Sequence, residues 1–416
     1  MTPITPSRAL VVMVGLAIML NYIDRGAISI AAPLIKDEMG LTATGYGLVV
    51  SSFFWTYVPM LMLAGWLADK VSVHRLMAAG VAVWAIATLV TGFAGGLVSL
   101  VILRLLMGVG EGVAFPSASK LLARAPEASR GTANVALGAG LAMGPLVGTL
   151  AGGFILARYG WRPMFLVFGL VTLIWLVPWL RMRGQVDLPA DPGDAPPVGY
   201  GVMLRTPALW AMSAYHFAGT YALYFVIAWL PLWLMKVRGY DITDMALLTA
   251  LFYLGQTVGA AFGAGITDRL IAGGRSASTV RRTAGIIGFV VSVVGILAIS
   301  QTTTTAGLMF WLVMTSVWFG SNTGIIFTAG QTLAGPASAG RWVGVQSAIG
   351  NLAGITGPVI TGLIVDNAGY GPAFVLAAGV VLVGLIAFIV GVPKLAPVDF
   401  SGAKTRSPAT YPQNPV

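Results

Sequence analysis

The chain has 416 residues, of which 57% are hydrophobic and only 9% charged, with 54 glycines and a formal net charge of +10. Soluble domains carry about a quarter of their residues as charges, so this composition excludes an ordinary soluble domain and implies a polytopic membrane protein. Cysteine is absent and histidine occurs only as His74 and His216, which excludes disulfides, thiolate metal sites and a cysteine nucleophile and leaves little for a metal centre.

Apolar segments long enough to span a bilayer fall at 9–33, 44–67, 76–95, 98–119, 131–156, 162–180, 208–235, 245–267, 283–301, 306–333, 343–365 and 373–392. The first follows Arg8 as a signal peptide would, but it continues through Asn21–Arg25 as a full span and is read as an uncleaved helix. With the N-terminus in the cytoplasm, seventeen of the 24 basic residues fall in inside loops. Only Lys36, Arg158, Arg162, Lys236 and Arg238 fall outside. That asymmetry sets the orientation, with both termini cytoplasmic, by the positive-inside rule. The basic balance therefore follows topology and is no nucleic-acid footprint.

Arg181–Arg205 is polar and rich in proline, as a linker between two six-helix halves would be. The halves read as copies. Gly65-Trp-Leu-Ala-Asp69-Lys70 is matched by Gly265-Ile-Thr-Asp268-Arg269, Gly144-Pro145 by Gly357-Pro358, and Gly160-Trp-Arg-Pro-Met-Phe165 by Gly369-Tyr-Gly-Pro-Ala-Phe374. The expected fold is an all-α polytopic membrane protein of twelve transmembrane helices in two pseudo-symmetric six-helix halves. Its divisions are 1–180 and 208–395 for the halves, 181–207 for a cytoplasmic linker and 396–416 for a cytoplasmic tail. Duplication of this kind implies alternating access around a midplane site.

Two basic residues, Arg25 and Arg104, and two acids, Asp24 and Glu111, remain within spans, with Asp366 at a helix end. A charge inside a bilayer costs about 3 kcal/mol or more, so such residues face a partner or a water-filled cavity. Leu100 to Lys120 is read as one helix, on which Arg104 and Glu111 lie two turns, about 10 Å, apart on one face. Gly108 and Gly112 form a small-xxx-small step for close helix approach. On the first helix Asn21, Asp24 and Arg25 stand at i, i+3 and i+4 and are read as sharing a face. A guanidinium offers two parallel donors at carboxylate spacing, so Arg25 and Arg104 suit an organic anion. Glu111, among apolar and glycine neighbours, suits a proton carrier, and Asp24 is the second candidate. The bland alternatives are an Asp24–Arg104 ion pair that only locks two helices together, a neutral Glu111 bonded to a helix, and core packing for Tyr22 and Tyr57. His216 reads either as a packing residue or as a proton relay. Asn322, Gln346 and Asn351 read as interhelical glue or as polar contacts of the second half.

The twelve spans, the central linker and the two glycine–acid–base loop motifs resemble the major facilitator superfamily over residues 8–395. Within it, Asn21-Tyr22-Ile-Asp24-Arg25, Phe54-Trp55-Thr-Tyr57, Arg104…Gly-Glu111-Gly…Phe-Pro116 and Trp229-Leu-Pro231 before Arg238-Gly239 resemble the anion:cation symporter family. The resemblance implies proton-coupled uptake of a sugar acid or other small carboxylate across a bacterial inner membrane by a monomer, with no cofactor beyond the coupling proton. It implies Arg25, Arg104, Tyr22, Tyr57 and Asn351 for the substrate, Asp24 and Glu111 for the proton, and Asp69, Arg130 and Asp268 for a cytoplasmic gate. The first loop copy departs from the pattern, with Ser72 in place of glycine and Val73-His74 in place of basic residues. Gly140-x-x-x-Gly144-Pro145-x-x-Gly148 resembles a motif of superfamily antiporters, which makes a proton-driven exporter the alternative, although two cavity arginines would repel cationic drugs. A non-transporting sensor would need an output domain, and an enzyme would need a nucleophile–base pair or cofactor motif that the sequence lacks.

Overall fold

The computed structural model describes residues 8–123, 127–182, 198–335 and 338–400, without the side chains of 65–66, 68–70, 119–120, 122–123, 127–137 and 340. In order the helices are α1 (Arg8–Met39), α2 (Ala43–Lys70), α3 (Val73–Thr91), α4 (Leu97–Glu111), α5 (Ala114–Ala123), α6 (Glu127–Tyr159) and α7 (Trp161–Arg181). After the linker come α8 (Tyr200–Leu204), α9 (Pro207–Lys236), α10 (Ile242–Ala272), α11 (Ala277–Gln301), α12 (Thr305–Ala334), α13 (Ala339–Ala368) and α14 (Tyr370–Gly391). Among the described residues, twelve spans are long and apolar enough to cross a membrane.

Several helices outrun their apolar segments. α1 continues beyond residue 33 through Pro33, Lys36, Asp37 and Glu38 to Met39, because polar side chains at a helix end are carried into the interface without breaking the backbone ladder. The segment read as one helix from Leu100 to Lys120 is instead two, α4 and α5, parted at Gly112 and Val113. Proline is the reason: Pro116 has no N–H for the Gly112 carbonyl and its ring crowds that carbonyl. The Gly112 N–H turns back to the carbonyls of Gly108 and Gly110.

The duplication is visible in the backbone. Gly160 and Gly369, which open the matched Gly-Trp and Gly-Tyr motifs, hold φ of 83° and 78°, where a Cβ would be strained. Within the first half α1 packs on α6, α2 on α4, and α3 on α7; within the second α10 packs on α12, α9 on α13 and α14, and α11 on α12. α6 lays Gly140, Gly144 and Gly148 along Gly15, Met19, Tyr22 and Ile23 of α1, so the motif shared with antiporters here seats one helix on another.

The halves meet through α2 against α13 and α6 against α10. At one end they are joined by polar contacts: Lys236 Nζ lies 2.5 Å from Asp37 Oδ2, Tyr46 Oη donates to the Ala228 carbonyl at 3.1 Å and Ser51 Oγ to the Ile355 carbonyl at 2.6 Å. Among the described residues no polar contact of this kind joins the other end, where Met62 is 71% and Phe262 64% exposed.

Candidate functional site

α1 presents Asn21 and Arg25 one turn apart on the face turned to α2 and α4. Arg25 gives Nε to Glu111 Oε2 at 2.9 Å, and its Nη2 reaches the same oxygen at 2.8 Å and Asn21 Oδ1 at 3.0 Å. Three rings box the guanidinium, with Cζ 4.7, 4.9 and 4.6 Å from the centroids of Tyr22, Phe53 and Tyr57. Cation–π contacts of this kind strengthen as water is excluded, and Arg25 is only 8% exposed.

Arg104 lies against the same Phe53 ring at 4.8 Å, so one phenyl group serves both arginines. Among the described residues its only hydrogen bond is a weak one from Nη1 to Met107 Sδ at 3.3 Å, and its Nε is buried without a partner. Among the described residues no carboxylate pairs with it. This goes against the bland alternative in which Arg104 only locks onto Asp24, and it leaves a desolvated cation that no described carboxylate touches.

Asp24 does not share the arginine face. A residue one position before Arg25 points about 100° away around the helix. Its Oδ2 accepts from Trp84 Nε1 at 3.2 Å on α3 and from Thr172 Oγ1 at 2.8 Å on α7, inside the first half. Four orphan atoms mark this region: Asn21 Nδ2, Asp24 Oδ1, Arg104 Nε and Glu111 Oε1 are all buried without a hydrogen bond. Unmet polar groups in an interior are costly, and each of these can be met by an incoming polar partner. Glu111 has Oε2 on Arg25 and Oε1 free, so a proton has a vacant oxygen to take.

The second half supplies neutral groups. Tyr224 Oη donates to Asn351 Oδ1 at 3.4 Å, Asn351 Nδ2 donates to the Ser347 carbonyl at 2.9 Å, and the Tyr224 ring stands 4.5 Å from Phe54. Asn351 is thus tied to the aromatic cluster through Tyr224 and contacts neither arginine. His216 meets Gln346 across 3.4 Å and packs on Phe327, with no carboxylate beside it.

Of the residues expected at the site, the structure gathers Tyr22, Arg25, Tyr57 and Glu111, sets Arg104 against the Phe53 ring, and turns Asp24 toward α3 and α7. The side chains of Asp69 and Arg130 lie outside the described residues, and Asp268 is exposed at the end of α10. Sequence reading missed Phe53, although its i, i+4 spacing to Tyr57 was the available signal. It also missed Trp84 and Thr172, which sit on other helices and left no local mark.

The model of the Major Facilitator Superfamily matches residues 14–358. A probable sulfoacetate transporter of Cupriavidus necator is 30% identical over 88% of this chain and 90% of its own length. A hexuronate transporter of Bacillus subtilis is 29% identical over 95% of this chain and 97% of its own. Among solved structures, a bacterial homologue of the human lysosomal transporter Spinster, inward-facing and unoccupied, superimposes with a TM-score of 0.73 at 19% identity over 93% of this chain and 95% of that one. With its twelve spans, paired halves and buried charged centre, the chain belongs to the Major Facilitator Superfamily and is a membrane transporter, not an enzyme.

Proposed function

We propose that the protein carries a small organic anion inward together with a proton, by alternating access between its two halves, and that Arg25 changes partner during the cycle. With Glu111 ionised, Arg25 is held by it. When Glu111 takes a proton on its free oxygen, Arg25 is released to bind a carboxylate, which Arg104 also attracts. The observation that carries this reading is the imbalance at the site: two buried arginines share one contacting carboxylate, and Arg104 has none. The proton neutralises Glu111 and the anion's carboxylate takes its place beside the arginines, so loading exchanges one carboxylate for another and leaves the net charge of the site unchanged. The relatives named for sulfoacetate and hexuronate support an organic acid as the cargo, and the polar groups around Asn351 and Tyr224 suit its uncharged part. In this reading one chain carries the whole pathway and acts as a monomer. Asp69, Arg130 and Asp268 would serve the inner gate.

The positive-inside distribution of Lys and Arg supports cytoplasmic termini in a bacterial plasma membrane, and it turns the joined end outward and the opposite end inward. In proteoliposomes, an imposed inward proton gradient should drive accumulation of a hexuronate or sulfoacetate, and replacing sodium by potassium at equal ionic strength should not matter. A strict sodium requirement overturns the coupling.

A further inference from the structure

We infer that Asp366 is a state-dependent clasp: a carboxylate of the second half that caps a helix of the first half only while the outer end is closed. The inference rests on the rocking of the halves proposed above.

Asp366, near the end of α13, reaches across to the start of α2. Its Oδ1 accepts from the Ala43 N–H at 2.8 Å, and its Oδ2 accepts from the Thr44 N–H at 2.7 Å and from Thr44 Oγ1 at 2.5 Å. The first N–H groups of a helix have no partner within it, and the end carries partial positive charge, so a carboxylate there is bound by both hydrogen bonds and the dipole. α2 has its own cap only in part, since Thr42 Oγ1 accepts from the Gly45 N–H. Asp366 therefore supplies the cap for the two preceding amides from the opposite half. The backbone around it is closely apposed: a Cβ on Gly362 would lie 2.6 Å from the Ala43 carbonyl oxygen, and one on Gly47 would lie 2.3 Å from that of Pro358.

The corresponding helix of the second half is built differently. α10 is capped by its own N-cap residue, Asp241, whose side chain accepts from the Asp244 N–H. When the outer ends part, α10 keeps its cap and α2 loses the bonds to Asp366. The energy of that cap belongs to the closed state alone, so it sets the balance between closed and open. The Lys236–Asp37 pair also crosses the halves, but both side chains are about half exposed, at 41% and 59%, and such pairs contribute little.

The chain has no cysteine, so introduced pairs are unique labelling sites. Spin labels at Tyr159→Cys and Thr303→Cys report the outer end, and labels at Arg75→Cys and Arg275→Cys report the inner end. Asp366→Asn removes the charge from the helix N-terminus and one acceptor, and should raise the ratio of long to short outer distances by up to about fivefold, the factor for a carboxylate's interaction with a helix dipole. The inner distance should shorten in the same sample. Thr44→Ala, which removes one of the bonds, should shift both distances the same way by less. Asp241→Asn, which touches only its own helix, should leave both unchanged. Outer lengthening without inner shortening supports the clasp and overturns the rocking reading. Outer distances unchanged in both Asp366→Asn and Thr44→Ala, with melting temperatures showing folded protein, overturn the clasp.

Discussion

Arg25 and Glu111, 86 residues apart in the chain, form a buried ion pair in which two guanidinium nitrogens converge on one carboxylate oxygen and the other oxygen stays free. Two donors on one oxygen is a contact that an incoming carboxylate can imitate. Breaking a buried pair without replacing it costs about 3–5 kcal/mol, which is why the proposed cycle has Arg25 change partners and not stand alone. In that proposal, proton and anion are linked through one side chain.

Arg25→Lys should lose most substrate affinity while the charge is kept. An ammonium cannot present Nε and Nη together, nor lie flat against Tyr22, Phe53 and Tyr57. Losing one charge-assisted hydrogen bond corresponds to about 1.5–3 kcal/mol, or roughly a ten- to hundredfold weaker Kd. Isothermal titration of purified protein with the transported acid measures it, and an unchanged Kd would count against Arg25 as the anion's partner.

Arg104→Ala should abolish measurable binding yet leave a folded and even stabler protein, because the change removes a buried cation that touches no carboxylate among the described residues. A melting temperature equal to or above the parent's, together with lost binding, is the expected result. A collapse of the melting temperature would show that Arg104 holds the fold.

Asp24→Asn should leave anion affinity little changed, because Asp24 faces Trp84 and Thr172 and not the arginines. If it carries a second coupling proton, uphill uptake falls while Kd holds. A large rise in Kd would place Asp24 at the anion.

Gly108→Ala should destabilise the first half. A Cβ there would lie 2.2 Å from the Phe53 carbonyl oxygen and 2.4 Å from Thr56 Oγ1, so α2 and α4 would have to separate. Overpacking of this kind costs about 1–3 kcal/mol. Thermal unfolding should register the loss, and unchanged melting would show that the α2–α4 contact is slack.

The twelve spans were legible because hydrocarbon thickness imposes length and apolarity segment by segment, and the duplicated loop motifs were legible because each carries its own backbone demand, as the positive φ of Gly160 and Gly369 shows. Arg25, Arg104 and Glu111 were legible as charges where charge is expensive. Which of them touch was not. Seven-residue spacing put Arg104 and Glu111 on one face, but the partner of Glu111 came from α1, 86 residues earlier. Asp24 was read on the wrong side because i, i+3 and i+4 spacing groups residues loosely, and packing against α3 and α7 decided its direction. The break after Glu111 was signalled by Pro116, which has no N–H for the Gly112 carbonyl one turn earlier.

Binding of the anion should weaken as pH rises. In this account the loaded site holds a proton on Glu111 and the empty site does not, so binding takes up a proton and Kd increases with pH. Glu111→Gln fixes the site in a form resembling the protonated one and cannot release a proton. Its Kd should show a flatter pH dependence.

The most direct measurement compares proton-driven uptake and substrate counterflow in the same vesicles containing Glu111→Gln. Exchange of bound for external anion needs no deprotonation and should survive, while accumulation against a gradient should vanish. Proton-driven accumulation at the parental level in this variant would contradict the account and remove Glu111 from the coupling.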